Sequence, residues 1–123
     1  MSQKKILLTG SNGLLGQKLV SLILDETQHK LIATSKGDNR ICSRTDINYQ
    51  SLDITDLSEL HKAVFSFRPD AIINTAAMTN VDACESDKEA CWSLNVNAVE
   101  NLVKVSKEFN VQLVHLSTDF VFD

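Results

Sequence analysis

The fold is decided by the segment Lys4-Lys-Ile-Leu-Leu-Thr-Gly-Ser-Asn-Gly-Leu-Leu-Gly16. Its apolar run at residues 6–8 is typical of a strand that is buried on both faces. Glycines follow at positions 10, 13 and 16, and the apolar residues after them recur at helical spacing. A strand, a glycine turn and a helix in this order direct unpaired backbone N–H groups and the positive end of the helix at an anion. The segment therefore predicts a nucleotide site; the alternative is an ordinary turn.

The three glycines have separate predicted tasks. Gly10 permits a sharp turn after the strand, and Gly13 lets a pyrophosphate approach the backbone because no Cβ is in the way. Gly16 lets the helix lie close to the strand. A turn with these three tasks is typical of dinucleotide binding.

Composition indicates one domain, which occupies residues 1–123. Apolar residues make up 43% of the chain, enough for one core, and the net charge is −4 from 12 basic and 16 acidic residues. A mildly acidic chain without a basic run is a poor nucleic-acid binder. No apolar stretch approaches the ~18 residues of a membrane span or has the form of a signal peptide. We therefore expect a cytoplasmic protein that binds neither nucleic acid nor membrane.

The three cysteines, Cys42, Cys84 and Cys91, are an odd number without CxxC spacing. This pattern indicates reduced thiols rather than a disulfide framework or a metal site. We therefore predict no metal centre.

Strands and helices are predicted to alternate along the chain. Beyond the opening segment, strands are expected at residues 30–34, 47–52, 71–74 and 112–117, and helices at 56–67 and 86–109. Only a loop is expected between the second and third strands. The pattern predicts an α/β fold, a Rossmann-like doubly wound parallel sheet with strand order 3-2-1-4-5.

In such a sheet the loops that follow the strands share one edge, where ligands bind. The loops predicted to meet at this edge are residues 10–16, 35–40, 53–54, 75–79 and 117–120. Their convergence is stronger support for a ligand site than any one loop alone.

The loop after the second strand should discriminate between coenzymes. An acidic residue there would bind the ribose hydroxyls of NAD, whereas this chain has Ser35 and Lys36, with Arg40 nearby. A hydroxyl and two cations favour the 2′-phosphate of NADP, and NAD stays possible. An ordinary solvated loop is the alternative, and Asp38 weakens the interpretation.

Three further sites have a ligand role and a structural alternative. Asp53 is suited to accept a hydrogen bond from the adenine amino group, with Ile54 against the ring, or else it caps the next helix. The small residues around Ala76 let the backbone pass close to a ligand, or else they serve helix–sheet packing. Thr118 is placed to polarise a substrate carbonyl, or else it belongs to a strand-end turn. His115 is expected to pack inside the sheet.

Three motifs of this chain resemble a known family. They are Thr9-Gly-Ser-Asn-Gly-Leu-Leu-Gly16, Asn74-Thr-Ala-Ala-Met-Thr-Asn-Val-Asp-Ala-Cys-Glu85 and Leu116-Ser-Thr-Asp-Phe-Val-Phe-Asp123. Together they are similar to the dTDP-4-dehydrorhamnose reductases, which are extended short-chain dehydrogenase/reductases. The resemblance covers the whole chain but only the N-terminal part of the family's length. It implies reduction of the 4-keto group of a dTDP-4-keto-6-deoxy sugar with NADPH or NADH, as a step in dTDP-rhamnose biosynthesis.

The resemblance also implies roles for single residues. It places Gly13, Leu14 and Leu15 at the pyrophosphate, Asp53 and Ile54 at the adenine, Ala77, Met78 and Thr79 beside the ribose and nicotinamide, Leu116 along the coenzyme, Thr118 at the keto oxygen as the catalytic hydroxyl, and Asp119 at the sugar.

The chain departs from the family pattern in three ways. Met78 replaces a polar residue, and Phe120 stands where the family has tyrosine. The Tyr-x-x-x-Lys pair that donates the proton is absent, since the one tyrosine, Tyr49, is followed four residues later by Asp53. We therefore expect these 123 residues to bind a dinucleotide without turning it over.

Two alternative functions and one partner stay open. The same glycine turn occurs in nucleotide-sugar epimerases and dehydratases. A non-catalytic regulatory subunit, like that of methionine adenosyltransferase, also resembles this family. The helix at 86–109 is apolar on two sides, so we expect pairing with a second copy through this helix or through the open edge of the strand at 112–117.

Overall fold

The computed structural model describes residues 3–41, 45–75 and 88–115, and of residues 88–95 the backbone alone. Its elements, in chain order, are β1 (Lys5–Thr9), α1 (Leu14–Glu26), β2 (Lys30–Ser35), β3 (Tyr49–Ser51), α2 (Leu57–Phe67), β4 (Ala71–Asn74), α3 (Lys88–Phe109) and β5 (Gln112–His115).

The five strands form one parallel sheet in the order β3-β2-β1-β4-β5. The predicted fold class and strand order are therefore confirmed. Strand β1 is central because it pairs with β2 on one side and β4 on the other: Leu7 lies beside both Ile32 and Ile72. The glycine turn thus begins at the point where the strand order reverses, between β1 and β4.

Each face of the sheet has its own core, as a doubly wound fold requires. Leu7 and Ile72 face α2 and α3, where they pack with residues such as Leu60, Leu102 and Val105. On the other face, Ile6, Leu8, Leu31 and Ala33 pack against Val20 and Ile23 of α1 and against Ile41. The side chain of Ile41 is 6% exposed. The loop after β2 therefore covers part of this face without the help of a helix in the described residues.

The ends of α2 and α3 follow the local sequence. The Asp56 carboxylate accepts a hydrogen bond from the N–H of Glu59, which caps the start of α2. Arg68 ends α2 with a φ of 55°, since the following Pro69 disfavours a helical backbone there. Asn110 ends α3 with a φ of 56°.

Three details differ from the expectations or lie beyond the described residues. Strand β3 is shorter than expected, and the predicted strand at 112–117 is described as far as His115. The prediction for His115 is wrong, because its side chain is exposed at the carboxyl end of β5. Ser86, with which we expected α3 to begin, and all three cysteine side chains lie outside the described residues.

No helix in the described part of the chain combines the length and apolar character needed to cross a bilayer.

The closest backbone approach that a side chain would disrupt lies between α1 and the end of β1. A Cβ built on Gly16 would lie 2.1 Å from the carbonyl oxygen of Gly10 and 2.8 Å from the Cα of Ser11. Gly10 itself has a φ of 79°, which an L-residue rarely adopts. At Gly13 a Cβ would meet the same oxygen at 3.4 Å, an ordinary contact. Gly16 and Gly10 are therefore required by the fold, and Gly13 is not.

We predict that Gly16→Ala lowers the free energy of unfolding by about 3 kcal/mol, because the new methyl group forces α1 away from the backbone at Gly10. Gly13→Ala in the same turn is the matched control and should cost less than about 1 kcal/mol. Urea unfolding followed by circular dichroism measures both. Equal stabilities of the two variants would contradict the packing role of Gly16.

Candidate functional site

Helix α1 starts with unpaired amides. Gly13 is its N-cap residue and supplies no side chain to cap it, and the first helical N–H with a partner is that of Gln17, which donates to the Gly13 carbonyl at 2.9 Å. Within the described residues no hydrogen bond involves the N–H groups of Leu14, Leu15 and Gly16. The side chain of Leu14 is 76% exposed beside them. The helix thus presents free donors and its positive end to a ligand.

Ser11 adds a buried hydroxyl to this turn. The residue is fully buried, and its N–H donates to the Thr34 carbonyl at 3.0 Å, but its Oγ has no hydrogen-bond partner in the described structure. A buried hydroxyl without a partner costs free energy unless a ligand or water satisfies it. The donor set of the turn therefore fits an anionic group such as a pyrophosphate.

The loop after β2 brings basic residues to the same edge. The Lys36 side chain is 84% exposed, and its Nζ lies 3.9 Å from the Oδ2 of Asp53. Ser35 is half-buried, and Arg40 is exposed. The Arg40 N–H donates at 2.8 Å to the Oδ1 of Asn12 in the glycine turn. The loop thus carries two cations, and its backbone at Arg40 is tied to the glycine turn through Asn12.

Asp53 is held as an ionised acceptor. Its Oδ1 accepts hydrogen bonds from the hydroxyl of Thr55 at 2.6 Å and from the N–H of Thr55 at 3.0 Å. The Thr55 hydroxyl is the main reason that the pKa of Asp53 lies below its ordinary value of 3.8, and Lys36 contributes less. The N–H of Asp53 donates to the Glu59 carboxylate at 3.1 Å, so this glutamate reaches back beyond the N-cap residue Asp56. Within the described residues the Asp53 side chain caps no helix, and its Oδ2 lies 3.9 Å from the Lys36 ammonium.

Ile54 lies beside Asp53 but points inward. Its side chain is 8% exposed and belongs to the core below α2 and α3. The Ile54 carbonyl accepts a hydrogen bond from Asn101 at 3.0 Å, whereas its N–H makes none within the described residues. An acceptor at Asp53 and a donor at the Ile54 backbone are therefore adjacent.

A polar network that runs from buried Thr9 and Asn74 to the exposed His115 lies below the turn. The Thr9 hydroxyl donates to the Asn74 Oδ1, and the Asn74 Nδ2 donates to the Nδ1 of His115 at 2.8 Å. The Thr75 hydroxyl donates to the Thr9 carbonyl at 2.6 Å. These contacts join the carboxyl ends of β1 and β4, which flank the switch point, to the carboxyl end of β5.

The structure therefore brings together part of the predicted site. Described at one sheet edge are Gly10, Gly13, Leu14, Leu15, Gly16, Ser35, Lys36, Arg40, Asp53 and Ile54. Outside the described residues lie Ala76, Ala77, Met78, Thr79, Leu116, Thr118 and Asp119. Within the described part of the chain, no group of three or more His, Cys, Asp or Glu residues is arranged to hold a metal ion.

Sequence reasoning missed two residues that shape the loop after β2. Asn12 reaches it from the glycine turn, and the Tyr49 hydroxyl reaches it from β3, 2.6 Å from the Gly37 carbonyl. The Tyr49 hydroxyl is protonated at neutral pH and can donate, and burial raises its pKa further above its ordinary value of 10. The one sequence feature that could have indicated this role for Asn12 is its place inside the glycine turn, and no sequence feature indicated a role for Tyr49.

Comparison with known proteins agrees with this architecture. The sequence profile described as the RmlD substrate binding domain matches residues 4–123. The chain belongs to the RmlD substrate-binding domain family. This assignment rests on nearly the whole chain, from the residue before β1 to the last one.

Relatives of this RmlD-family chain include enzymes and a subunit of an enzyme. It is 33% identical to a dTDP-4-dehydrorhamnose reductase of Aggregatibacter actinomycetemcomitans over 97% of the chain and 36% of the relative. It is 28% identical to methionine adenosyltransferase 2 subunit beta of Bos taurus, over 98% of the chain and 34% of that subunit. A solved structure, a hypothetical dTDP-4-dehydrorhamnose reductase from Sulfolobus tokodaii, superimposes with a TM-score of 0.79 at 37% identity, over 97% of this chain and 41% of the other. The chain thus spans little more than a third of the length of these relatives.

We predict that Thr55→Val raises the pKa of Asp53 toward its ordinary value, because the variant loses the hydroxyl but keeps the N–H that also binds the carboxylate. Since the folded pKa lies below 3.8, this carboxylate stabilises the fold above that pH and loses its contribution as the pH falls through the folded value. A ¹³C NMR titration of the Asp53 carboxyl measures the shift.

Thr27→Val is the control for this titration, because the Thr27 hydroxyl bonds the Ile23 carbonyl at the far end of α1. It should leave the titration of Asp53 unchanged. An Asp53 midpoint that is the same in Thr55→Val and in the unmodified chain would show that the hydroxyl does not hold the carboxylate.

Proposed function

We propose that this chain is the NAD(P)-binding domain, and thus the N-terminal part, of a reductase that uses NADPH or NADH to reduce a dTDP-4-keto-6-deoxy sugar in dTDP-rhamnose biosynthesis. The observation that carries the proposal is the row of amides at Leu14, Leu15 and Gly16, which have no partner within the described residues, set beside the Ser11 hydroxyl, which has none there either, at the switch point of the sheet. In a chain of this family, that donor set is suited to the pyrophosphate of a dinucleotide.

The adenine end of the coenzyme has a matching edge in the chain. The ionised Asp53 carboxylate is suited to accept from the exocyclic amino group of adenine, and the unpaired Ile54 N–H is suited to donate to the adjacent ring nitrogen. Ile54 contributes its backbone in this arrangement, because its side chain belongs to the core. This acceptor–donor pair matches adenine, whereas guanine presents a carbonyl and an N–H at the same places.

NADP is favoured over NAD by the loop after β2. Lys36 and Arg40 supply positive charge, Ser35 supplies a hydroxyl, and no acidic residue ends the strand. A 2′-phosphate is stabilised by cations, whereas free ribose hydroxyls are best bound by a carboxylate. Asp38 reduces the positive charge of this loop. We therefore expect NADH to bind as well, more weakly than NADPH.

The chemical step needs more than this chain contains. The coenzyme supplies a hydride when it is bound, and the family resemblance gives Thr118 a hydrogen bond to the keto oxygen, with Asp119 at the sugar. Protonation of the alkoxide requires a general acid, and the one tyrosine of the chain, Tyr49, donates to backbone carbonyls of a loop. Loss of a general acid typically lowers a rate by about 10² to 10⁴. We therefore expect these residues alone to bind coenzyme without turnover.

A second candidate function is a non-catalytic binding subunit. The observation in its favour is the similarity to methionine adenosyltransferase 2 subunit beta, at 28% identity over 98% of this chain. Both candidates share the coenzyme site, so coenzyme binding alone does not separate them. Reduction of a dTDP-4-keto-6-deoxy sugar by the full-length protein would decide for the reductase.

We predict that the chain binds NADPH more tightly than NADH in calorimetric titrations and that neither is oxidised when a dTDP-4-keto-6-deoxy sugar is added. Lys36→Ala should weaken NADPH binding roughly fivefold, corresponding to about 1 kcal/mol for an exposed ion pair, and should leave NADH binding unchanged. Binding heats and the absorbance at 340 nm measure the two parts.

Lys30→Ala is the matched control, because it removes the same charge at the opposite end of β2. It should change neither affinity. Absence of binding heat with either coenzyme would refute the coenzyme site, and steady oxidation of NADPH would refute the expected lack of turnover.

We further propose that two copies pair through α3 or through the edge of β5. Val96 and Val103 of α3 are 36% and 37% exposed, and β5 pairs only with β4 in the described sheet. Apolar side chains and an open strand edge are both favourable contacts for a second copy.

Sedimentation velocity should therefore show dimers at tens of micromolar, and Val103→Glu should shift the population to monomers if the contact uses α3. Leu22→Glu, on the outer face of α1, is the control for adding a charge at an exposed apolar position and should leave the dimer intact. A monomer at every concentration of the unmodified chain would exclude the pairing.

A further inference from the structure

The side chain of Asn12 joins two parts of the site that are far apart in sequence. Its Nδ2 donates to the Asp38 carbonyl at 2.9 Å, and its Oδ1 accepts from the Arg40 N–H at 2.8 Å. These contacts span 26 and 28 residues. The two ends of one amide therefore clamp the backbone of the loop after β2 onto the glycine turn.

The same loop is held from its other side by β3. The Tyr49 hydroxyl lies 2.6 Å from the Gly37 carbonyl and 3.0 Å from that of Ser35, and the Ser51 hydroxyl accepts from the Gly37 N–H at 3.2 Å. The backbone from Ser35 to Arg40 is thus fixed by side chains from two flanks, although the loop itself is exposed.

This arrangement sets the position of the loop's charges relative to the helix amides. Lys36 and Arg40 stand on the clamped backbone, while the unpaired amides of Leu14 and Leu15 begin directly after the turn that carries Asn12. A ligand that bridges the amides and the cations binds better when the spacing between them is fixed beforehand, because less ordering accompanies binding. A ligand that reaches only the amides gains little from the clamp.

We propose that Asn12 is a positioning residue for coenzyme discrimination: by tying the loop at 38–40 to the pyrophosphate turn, it makes the chain distinguish a 2′-phosphate from a 2′-hydroxyl. The inference rests on the proposed coenzyme site and adds a determinant that itself carries no charge. Discrimination between NADPH and NADH then depends on the position of the loop as well as on its cations.

The test compares calorimetric affinities of the full chain for NADPH and NADH. Asn12→Ala should weaken NADPH binding about tenfold, the scale of losing two hydrogen bonds, and NADH binding by no more than about threefold. Asn12→Ser, which keeps a polar turn residue but is too short to span both partners, should behave in the same way and provides a second variant if the alanine chain does not fold.

Two neighbouring variants serve as controls. Asn39 lies in the same loop, and within the described residues Asn39→Ala loses a hydrogen bond from the Ile41 N–H and no bond to the glycine turn, so both affinities should be unchanged. Gln17→Ala loses the bond from its Nε2 to the Asn12 carbonyl, which holds the turn but not the loop. Any effect of Gln17→Ala should therefore be equal for the two coenzymes.

A second measurement needs no coenzyme. The Arg40 amide should exchange slowly with solvent in the unmodified chain, because its N–H is bonded to Asn12, and at least about tenfold faster in Asn12→Ala and Asn12→Ser. NMR-detected hydrogen exchange reports this protection directly, with the Ile41 amide as the reference within the same loop.

The outcomes separate the inference from the proposed function. If the unmodified chain binds neither coenzyme, the coenzyme site is wrong and the inference falls with it. If both coenzymes bind and the ratio of their affinities is the same in both Asn12 variants, or if the Arg40 amide is unprotected in the unmodified chain, the clamp is refuted while the coenzyme site stands.

Discussion

The structure depends on one backbone contact, the close approach of α1 to the end of β1. Gly16 lies so near the Gly10 carbonyl that no larger residue fits, and Gly10 turns with a positive φ to allow it. This contact places the first amides of the helix directly beyond the central strand of the sheet. Because no side chain caps those amides, the positive end of α1 stays available to an anion. The geometry of the candidate site thus follows from a steric requirement of the fold.

Polar groups buried below the turn are almost all satisfied by their own neighbours. The Thr34 hydroxyl donates to the Leu8 carbonyl, and the buried Thr9 and Asn74 form a chain with the exposed His115 across β1, β4 and β5. Such a network fixes the relative heights of the strand ends, since each member would lose a partner if one strand shifted. The Ser11 hydroxyl is an exception at the site itself. The Ser11 hydroxyl lies where we expect an anionic ligand, and such a ligand would supply the hydrogen-bond partner that this hydroxyl lacks in the described structure.

Much of the site could be predicted because it depends on local patterns. The glycine spacing located the turn, the alternation of strands and helices gave the strand order, and the residues of the second loop gave its charge. The roles within the loops could not be predicted in the same way. Asp53 was expected to bind adenine or to cap a helix, and its observed partners, Thr55 at Oδ1 and Lys36 of another loop at Oδ2, had no sequence signal; its adenine role stays a proposal. The inward orientation of the Ile54 side chain could not be predicted either. An isolated apolar residue after a strand has the same sequence pattern whether it faces a ligand or the core.

The sequence by itself determined the fold class, the order of the strands and the location of the turn, because hydrophobic periodicity and glycine spacing act over a few residues and need no distant partner. Tertiary structure alone decided which side chains hold the loops together. Asn12 and Arg40 are 28 residues apart, and Asn74 meets His115 across 41 residues. Contacts of this range depend on the pairing of β1 with β2 and β4, because that pairing brings the loops to a common edge. A hydrogen bond between side chain and backbone leaves no periodic trace in a single sequence, so only the folded chain reveals it.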